Sequence, residues 1–291
     1  MNIHSICIVK DEVDIVGDVL KDATKWSDYI YLFDNGSNDG TTKILKDLAE
    51  GNDEIIYYKW SDETFHDALR SEVFHAFKQN AQKGDWWCRL DADEFYIDDP
   101  KKFLSKVNDS FNAVSHSSFN FFITQKDLQE YREHPSSLSY KSLRYYKNCW
   151  SEIRFVKDNG HLYWPPSSSW PVINMKVYPQ KIRVRHYQYR NPEQVKKSIK
   201  NRNLALARFT RFNNRYHGTL KGSAILDPEI GLVSHKVLNY DSGDENLKTT
   251  HPIPEWKPKN NMSTKIKNSL KNLLYRLNLL NLFYNLLGKK Q

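Results

Sequence analysis

The stretch "CRLDADEFYIDDP", residues 88–100, sets Asp91, Asp93 and Glu94, then Asp98 and Asp99, directly behind an apolar run that holds Trp86 and Trp87. Two carboxylates at D-x-D spacing can share a divalent cation. Hard oxygen ligands select Mg2+ or Mn2+, whose shells keep room for water and phosphate oxygens. A metal-bound diphosphate is then a natural partner, with the cation as Lewis acid for its departure. A lone D-x-D is more often an ordinary solvated turn. "IDDP" reads separately, as Asp99 capping a helix that begins at Pro100.

Two more polar clusters accompany it, at residues 10–12 ("KDE") and 34–39 ("DNGSND"). Each closes a short apolar run. "IHSICIVK", "DYIYLFDN", "EIIYYKW" and "DWWCRL" read as buried strands. "EVDIVGDVLKDATKW", "GSNDGTTKILKDLAEG" and "ETFHDALRSEVFHAFKQNA" read as helices, the last with Phe65, Leu69, Val73 and Phe77 on one face. This alternation predicts an α/β fold with a mostly parallel, Rossmann-like central sheet flanked by helices. Ligands bind at the carboxyl ends of such strands, where the three clusters fall.

From about residue 112 the pattern changes. "AVSHSSFNFFITQ", "SYKSLRYYKN", "EIRFVKD" and "KIRVRHYQYR" read as strands, interrupted by the Pro-, Ser- and Trp-rich loop "HLYWPPSSSWP". A helix then opens at Pro192, with Asn191 as N-cap and Gln194 completing a box-like cap. The chain divides into a domain over 1–212, with a nucleotide-binding half at 1–111 and an acceptor half at 112–212. An irregular extension at 213–262 and a basic amphipathic helix at 263–291 follow. That helix aligns Ile266, Leu270, Leu273, Leu274, Leu277, Leu280 and Leu287.

Taken together, "VKDEVDIV", "FDNGSNDGTTKIL" and "LDADEF" resemble the family-2 glycosyltransferases of the GT-A nucleotide-diphospho-sugar fold, bacterial surface-polysaccharide type. "FDNGSNDGT" is close to that family's V-D-D-G-S-x-D-G-T signature, and the resemblance covers roughly residues 1–125. It implies a nucleotide-sugar pocket built by Val9, Lys10, Glu12, Asp34, Arg70 and Asp91, with His66 one helical turn before Arg70. It implies Asp91 and Asp93 at Mn2+ or Mg2+. His186, in "HYQYRNPEQ", is the candidate third ligand, because a neutral imidazole suits Mn2+. Inversion at the anomeric carbon requires a base to deprotonate the acceptor hydroxyl. Glu152 in "CWSEIRF" is the candidate, Glu94 its rival, and an ion pair of Glu152 with Arg154 the plain alternative. Lys10 and Asp11 stand where Tyr and Asn are more usual in the family, which bears on base selectivity.

Other residues admit two readings. Asp34 and Asp39 can cap the turn as well as bind. His161, Trp164 and Trp170 can stack on sugar or simply pack. Lys196, Lys197 and Arg202 can face a diphosphate or only water.

Composition narrows the class further. Cys7, Cys88 and Cys149 are scattered, with no C-x-x-C, which points to a reducing compartment. The opening residues lack a signal-peptide run, so a cytoplasmic protein is expected. The net charge is +8. Lys257, Lys259, Lys265, Lys267, Lys271, Arg276, Lys289 and Lys290 supply that whole excess, because no acidic residue follows Glu255. A basic surface for nucleic acid across the protein is therefore excluded. The terminal helix can pack on the body, meet a partner or lie on an anionic membrane; its one-sided charge and its aromatics favour the membrane, at the inner face of the plasma membrane. The reading is a metal-dependent transferase moving sugar from a nucleotide-diphosphate donor to a glycan or lipid-linked acceptor. A sugar-nucleotide-binding scaffold without turnover is the alternative. A nucleotidyltransferase is disfavoured by the lack of a Gly-rich phosphate loop.

Overall fold

A computed structural model describes residues 1–166, 168–209, 238–240, 243–244, 247–248, 262–276 and 279. Strand β1 (Ile3–Val9) is buried along its whole length. Its side chains alternate between two cores: Ile3, Cys7 and Val9 join one, Ile6 and Ile8 the other. Helix α1 (Val16–Ala23) presents Val16, Val19, Leu20 and Ala23 at helical spacing to the first core. Strand β2 (Tyr29–Asp34), helix α2 (Thr41–Glu50) and strand β3 (Ile55–Trp60) follow. Helix α3 (Leu69–Phe77) covers the opposite face through Leu69, Val73 and Phe74. Strand β4 (Trp86–Leu90) pairs parallel to β1, as β1 does to β2 and β2 to β3. The carboxyl ends of β1, β2 and β4 thus share one edge of the sheet.

The rest of the sheet departs from the mostly parallel, Rossmann-like arrangement that the strand–helix alternation predicted. Strands β5 (Glu94–Tyr96), β6 (Ala113–Phe122), β7 (Tyr145–Trp150), β8 (Ile153–Lys157), β9 (Ile182–His186) and β10 (Leu238–Asn239) complete it. Among the described residues five of nine strand pairings are antiparallel, so the sheet is mixed. The physical cause is the return of the chain beside β6. β7 and β8 form one run, broken at Ser151 and Glu152, that pairs first with the far half of β6 and then with its near half. A strand that returns beside its neighbour without crossing the sheet must be antiparallel. β8 then joins β4, also antiparallel, and so splices the two halves together.

Among the described residues there are four further α-helices: α4 (Pro100–Leu104), α5 (Gln125–Glu133), α6 (Pro192–Phe209) and α7 (Met262–Arg276). Asp99 caps α4 by accepting from the Lys102 N–H, as "IDDP" implies. Asp98 instead pairs with Arg183 of β9 (2.7 Å). Asn191 caps α6, accepting from the Gln194 N–H (2.9 Å). The helix expected across residues 63–81 begins only at Leu69, so Phe65 and His66 precede it. Most of the expected 213–262 extension, the side chain of Arg202, and Leu277, Leu280 and Leu287 of the terminal segment lie outside the described residues. Among the described residues no helix is long and apolar enough to cross a membrane.

Candidate active site

The turn after β2 is built before anything binds to it. Asp34 is fully buried, accepting from the Ser37 N–H (2.9 Å) and the Thr42 hydroxyl. Gly36 and Gly40 take φ of 77° and 102°, a region that favours glycine, and so fold the chain tightly into α2. Lys10 donates to the carbonyls of Asn35 (2.7 Å) and Gly36 (3.3 Å). Val9 is fully buried and reaches this edge through its backbone, whose carbonyl accepts from the Asn35 N–H. Asp39 accepts from the backbone N–H and hydroxyl of Thr41 at the start of α2. Asp34, Lys10 and Val9 therefore shape the strand-end edge from within.

Asp91, just past β4, lies among three arginines. Arg70 on α3 meets its Oδ1 at 2.6 Å, and Arg154 on β8 meets its Oδ2 at 2.9 Å. Burial alone would push this carboxyl up; Arg154, Arg70 and Arg89 overcome that and hold it well below the ordinary carboxylate range. Arg154 also meets Glu94 (2.6 Å) and Glu152 (2.9 Å), so three carboxylates converge on one buried guanidinium. Arg70 and Arg89 share Asp67 (3.2 and 3.0 Å), and Arg89 stands 3.9 Å from Glu152.

Asp93 and His186 meet because β5 and β9 pair with Glu94 opposite His186. Their closest atoms, Oδ2 and Nε2, are 3.3 Å apart. Burial opposes the imidazolium, but Asp93, with Glu94 and Asp91 beyond it, raises His186 to about 9. Burial pushes the Asp93 carboxyl up and His186 more than reverses it.

Glu94 has no exposed side-chain surface, and burial raises it to about 7 against the pull of Arg154. Its Oε1 lies 3.8 Å from Nε2 of His116, a buried residue whose Nδ1 faces the Glu152 N–H (3.1 Å). Glu152 sits at the break between β7 and β8, where its backbone carbonyl accepts from the His116 N–H (2.9 Å). A register shift at Val114 and Ser115 of β6 lies opposite, the kind of irregularity that re-aims a side chain.

Glu12 does not stand free at the strand end. It pairs with Arg190, a fully buried residue that also grips Asp14 (2.8 and 2.9 Å) and donates to the Tyr187 carbonyl (2.8 Å). Lys197 and Asn201 of α6 reach Asp11 (3.1 and 2.9 Å). Asp11 has a φ of 57°, and its carboxylate also accepts from the Asn38 N–H. The segment from His186 into α6 is thus bolted to the loop after β1. His66 lies in the segment before α3, with Glu63 4.0 Å away. Trp164 is buried and donates to the Ser168 carbonyl; Trp170 lies under Arg89, 5.1 Å from ring centre to guanidinium.

The structure brings together Asp91, Asp93, Glu94, Glu152, Arg70 and His186. It adds Arg154, Arg89, Asp67, His116, Arg190 and Asp14, which the sequence reading left out as site residues. One signal was available for Arg154: a charged residue inside "EIRFVK", a strand otherwise apolar enough to be core. Arg190 had no such signal, because its partners Glu12 and Asp14 lie far away in sequence.

The donor set can be tested against a divalent cation. Ligand atoms about 2.1 Å from an octahedral Mg2+ or Mn2+ stand about 3 Å apart when adjacent. Asp93 and His186 fit that spacing as a neighbouring pair. Asp91 would join only by exchanging an arginine for the cation. Among the described residues no group of three His, Cys, Asp or Glu side chains is arranged to hold a metal. Two protein ligands with phosphate oxygens completing the shell is how such ions commonly bind.

Residues 6–171 match the family described as Glycosyl transferase family 2. The match takes in more than half of the chain and the whole cluster except His186 and Arg190. The chain belongs to this family and carries its glycosyltransferase domain. No curated protein matches the chain at a significant level. Among solved structures it is similar to the mannosyltransferase PcManGT from Pyrobaculum calidifontis, in complex with GDP-Man and Mn2+. There the identity is 10% over 94% of this chain and 87% of that one, with a TM-score of 0.40. It is also similar to residues 1–349 of S. aureus TarS, at 12% identity over 79% of this chain and 71% of that one, with a TM-score of 0.36. Against a longer S. aureus TarS chain the identity is 14%, over 43% of this chain and 22% of that one, with a TM-score of 0.29. At such identities neither likeness carries a donor, a metal or an acceptor across to this chain.

Proposed function

We propose that this protein transfers a sugar from a nucleotide-diphosphate donor to a glycan or lipid-linked acceptor, with inversion, in surface-polysaccharide assembly. The observation that carries the reading is the convergence of Asp91, Asp93 and His186 at the strand-end edge where the Asp34 turn also lies. The nucleoside sits over the ends of β1 and β2, against the turn shaped by Val9, Lys10 and Asp34. Asp93 and His186 would hold Mn2+ or Mg2+, with the imidazole releasing its proton as the cation binds. When bound, that cation supplies Lewis acidity to the leaving group. Arg70 and Arg154 keep Asp91 ionised within the same cluster.

The acceptor oxygen attacks the anomeric carbon as the bond to the diphosphate oxygen breaks, and the acceptor proton passes to a carboxylate. Glu152 suits that role better than Glu94, because Glu94 has no surface with which to reach an acceptor. Arg154 and Arg89 orient Glu152 from behind. Glu94 then supports Arg154.

The test is a thermal-shift screen of nucleotide sugars with Mn2+, on the wild type and on Asp93→Ala. A donor at about 100 times its Kd stabilises the wild type by about 2.7 kcal/mol. Most of that is lost in Asp93→Ala. Equal stabilisation of both proteins overturns the metal assignment. A wild type that binds a donor yet neither hydrolyses nor transfers it, with or without Mn2+, is a sugar-nucleotide-binding protein instead.

A further inference from the structure

We propose that the outward face of α7 binds an anionic lipid surface. The helix is docked with its polar side inward. Thr264, Asn268 and Lys271 are half-buried. Asn268 donates to the Ile173 carbonyl (3.5 Å), and Asn174 donates to the Ser269 hydroxyl (3.4 Å). Leu274 adds an apolar contact with Tyr163 and Val172. Met262, Ile266, Leu270 and Leu273, which lie on one helical stripe, are 75%, 61%, 43% and 51% exposed. A helix that serves only to cover its own protein turns such a stripe inward. Here the stripe faces away, and contiguous exposed apolar residues mark a binding surface.

Charge selects the occupant. The chain from Lys257 onward is basic without a single acidic residue, and Lys267 is exposed on α7 itself. A second copy would bring the same positive segment against this one. An anionic lipid surface receives both the stripe and the lysines. The placement connects with the site. The loop that seats α7 through Ile173 and Asn174 also carries Trp170, which lies under Arg89. One loop thus contacts both α7 and the Arg89 side of the cluster, a link by which a lipid-linked acceptor bound at that surface would meet the site. That last step rests on the proposed transferase reading; the lipid binding does not.

The experiment is co-sedimentation of the full chain with phosphatidylcholine vesicles, with and without phosphatidylglycerol. The wild type sediments with the anionic vesicles and is released by salt. Replacing the stripe in I266S/L270S/L273S lowers the partition at least about tenfold, and K265E/K267E lowers it as well. Because the stripe faces solvent, the serine variant keeps the wild-type Tm. Equal sedimentation with both lipids overturns the proposal, as does undiminished binding of the serine variant. A fall in its Tm shows the stripe covered by the protein itself. A wild-type dimer that the serine variant breaks, without vesicle binding, shows a self-interface. No donor or metal enters this assay, so failure of the transferase reading leaves its outcome standing.

Discussion

Arg154 decides how the acidic residues of this cluster coexist. Asp91, Glu94 and Glu152 converge on it, and Glu94 has no exposed surface from which water could replace a lost partner. Removing one member of a buried charge cluster leaves the others uncompensated, at a cost of about 3–5 kcal/mol. Arg154→Met is expected to lose stability on that scale in urea denaturation at neutral pH. The loss shrinks in acid, where the carboxyls take up protons. An equal loss at both pH values would mean that the methionine fails for lack of fit and not for lack of charge. Arg154→Lys has one nitrogen for three partners, so it falls between the two.

The turn between β2 and α2 illustrates how an element prepares a site. Asp34 at the strand end, Gly36 and Gly40 in the turn, and Thr41 and Thr42 at the helix start form one hydrogen-bonded unit. Gly36 has a φ of 77°, and a Cβ there would lie 3.0 Å from the Asp62 Cα. Left-handed backbone costs an ordinary residue about 1–2 kcal/mol, and the steric contact adds to it. Gly36→Ala is therefore expected to lower stability by about 2 kcal/mol or more. Gly84→Ala is the control, since its φ of 102° carries the strain while nothing lies within 4 Å of the new Cβ. If the two variants are equally stable, the close approach at Asp62 has no energetic weight. The clamp of Arg190 on Glu12 and Asp14 acts at the same scale, holding the start of α6 against the loop after β1.

Across the whole molecule the buried ionisable groups, histidines among them, shape how stability varies with pH. Burial pushes His4 and His116 below their ordinary value of 6.5. The unfolded chain therefore binds more protons as pH falls below 6.5, and stability declines with it. Taken alone, each such proton contributes about 1.4 kcal/mol per pH unit, but burial raises Glu12 to about 8 and Glu94 to about 7, and the protons these two hold in the folded state oppose that decline. His186 works in the opposite sense. Its folded value of about 9 lies above 6.5, so its stabilisation is complete below 6.5 and disappears as pH rises through about 9. Denaturation in EDTA from neutrality upward should show stability falling as pH rises through about 9, and His186→Asn should flatten that limb. A wild-type alkaline limb that survives this substitution would assign the loss to other groups.

What the sequence determined by itself is local. The short apolar run of β1 and the spacing of α1, the glycines at left-handed positions beside Asp34, and the Asp99–Pro100 cap are each written within a few residues, because they depend on backbone geometry and near neighbours. The D-x-D could likewise be read, and so could its place at the end of a strand. The tertiary structure decided the rest. The mixed sheet follows from where β7 and β8 return beside β6, and no local propensity specifies the partner of a strand. Arg89 and Arg190 entered the site only once distant carboxylates were folded onto them, and Arg154, legible beside Glu152, gained Asp91 and Glu94 the same way, since the energy of a buried charge depends on partners far away in sequence. The sequence offers Glu152 as the base with Glu94 as its rival; burial sets the two apart. The terminal helix was legible as basic and amphipathic, but which way its apolar stripe faces is set by the surface it docks on.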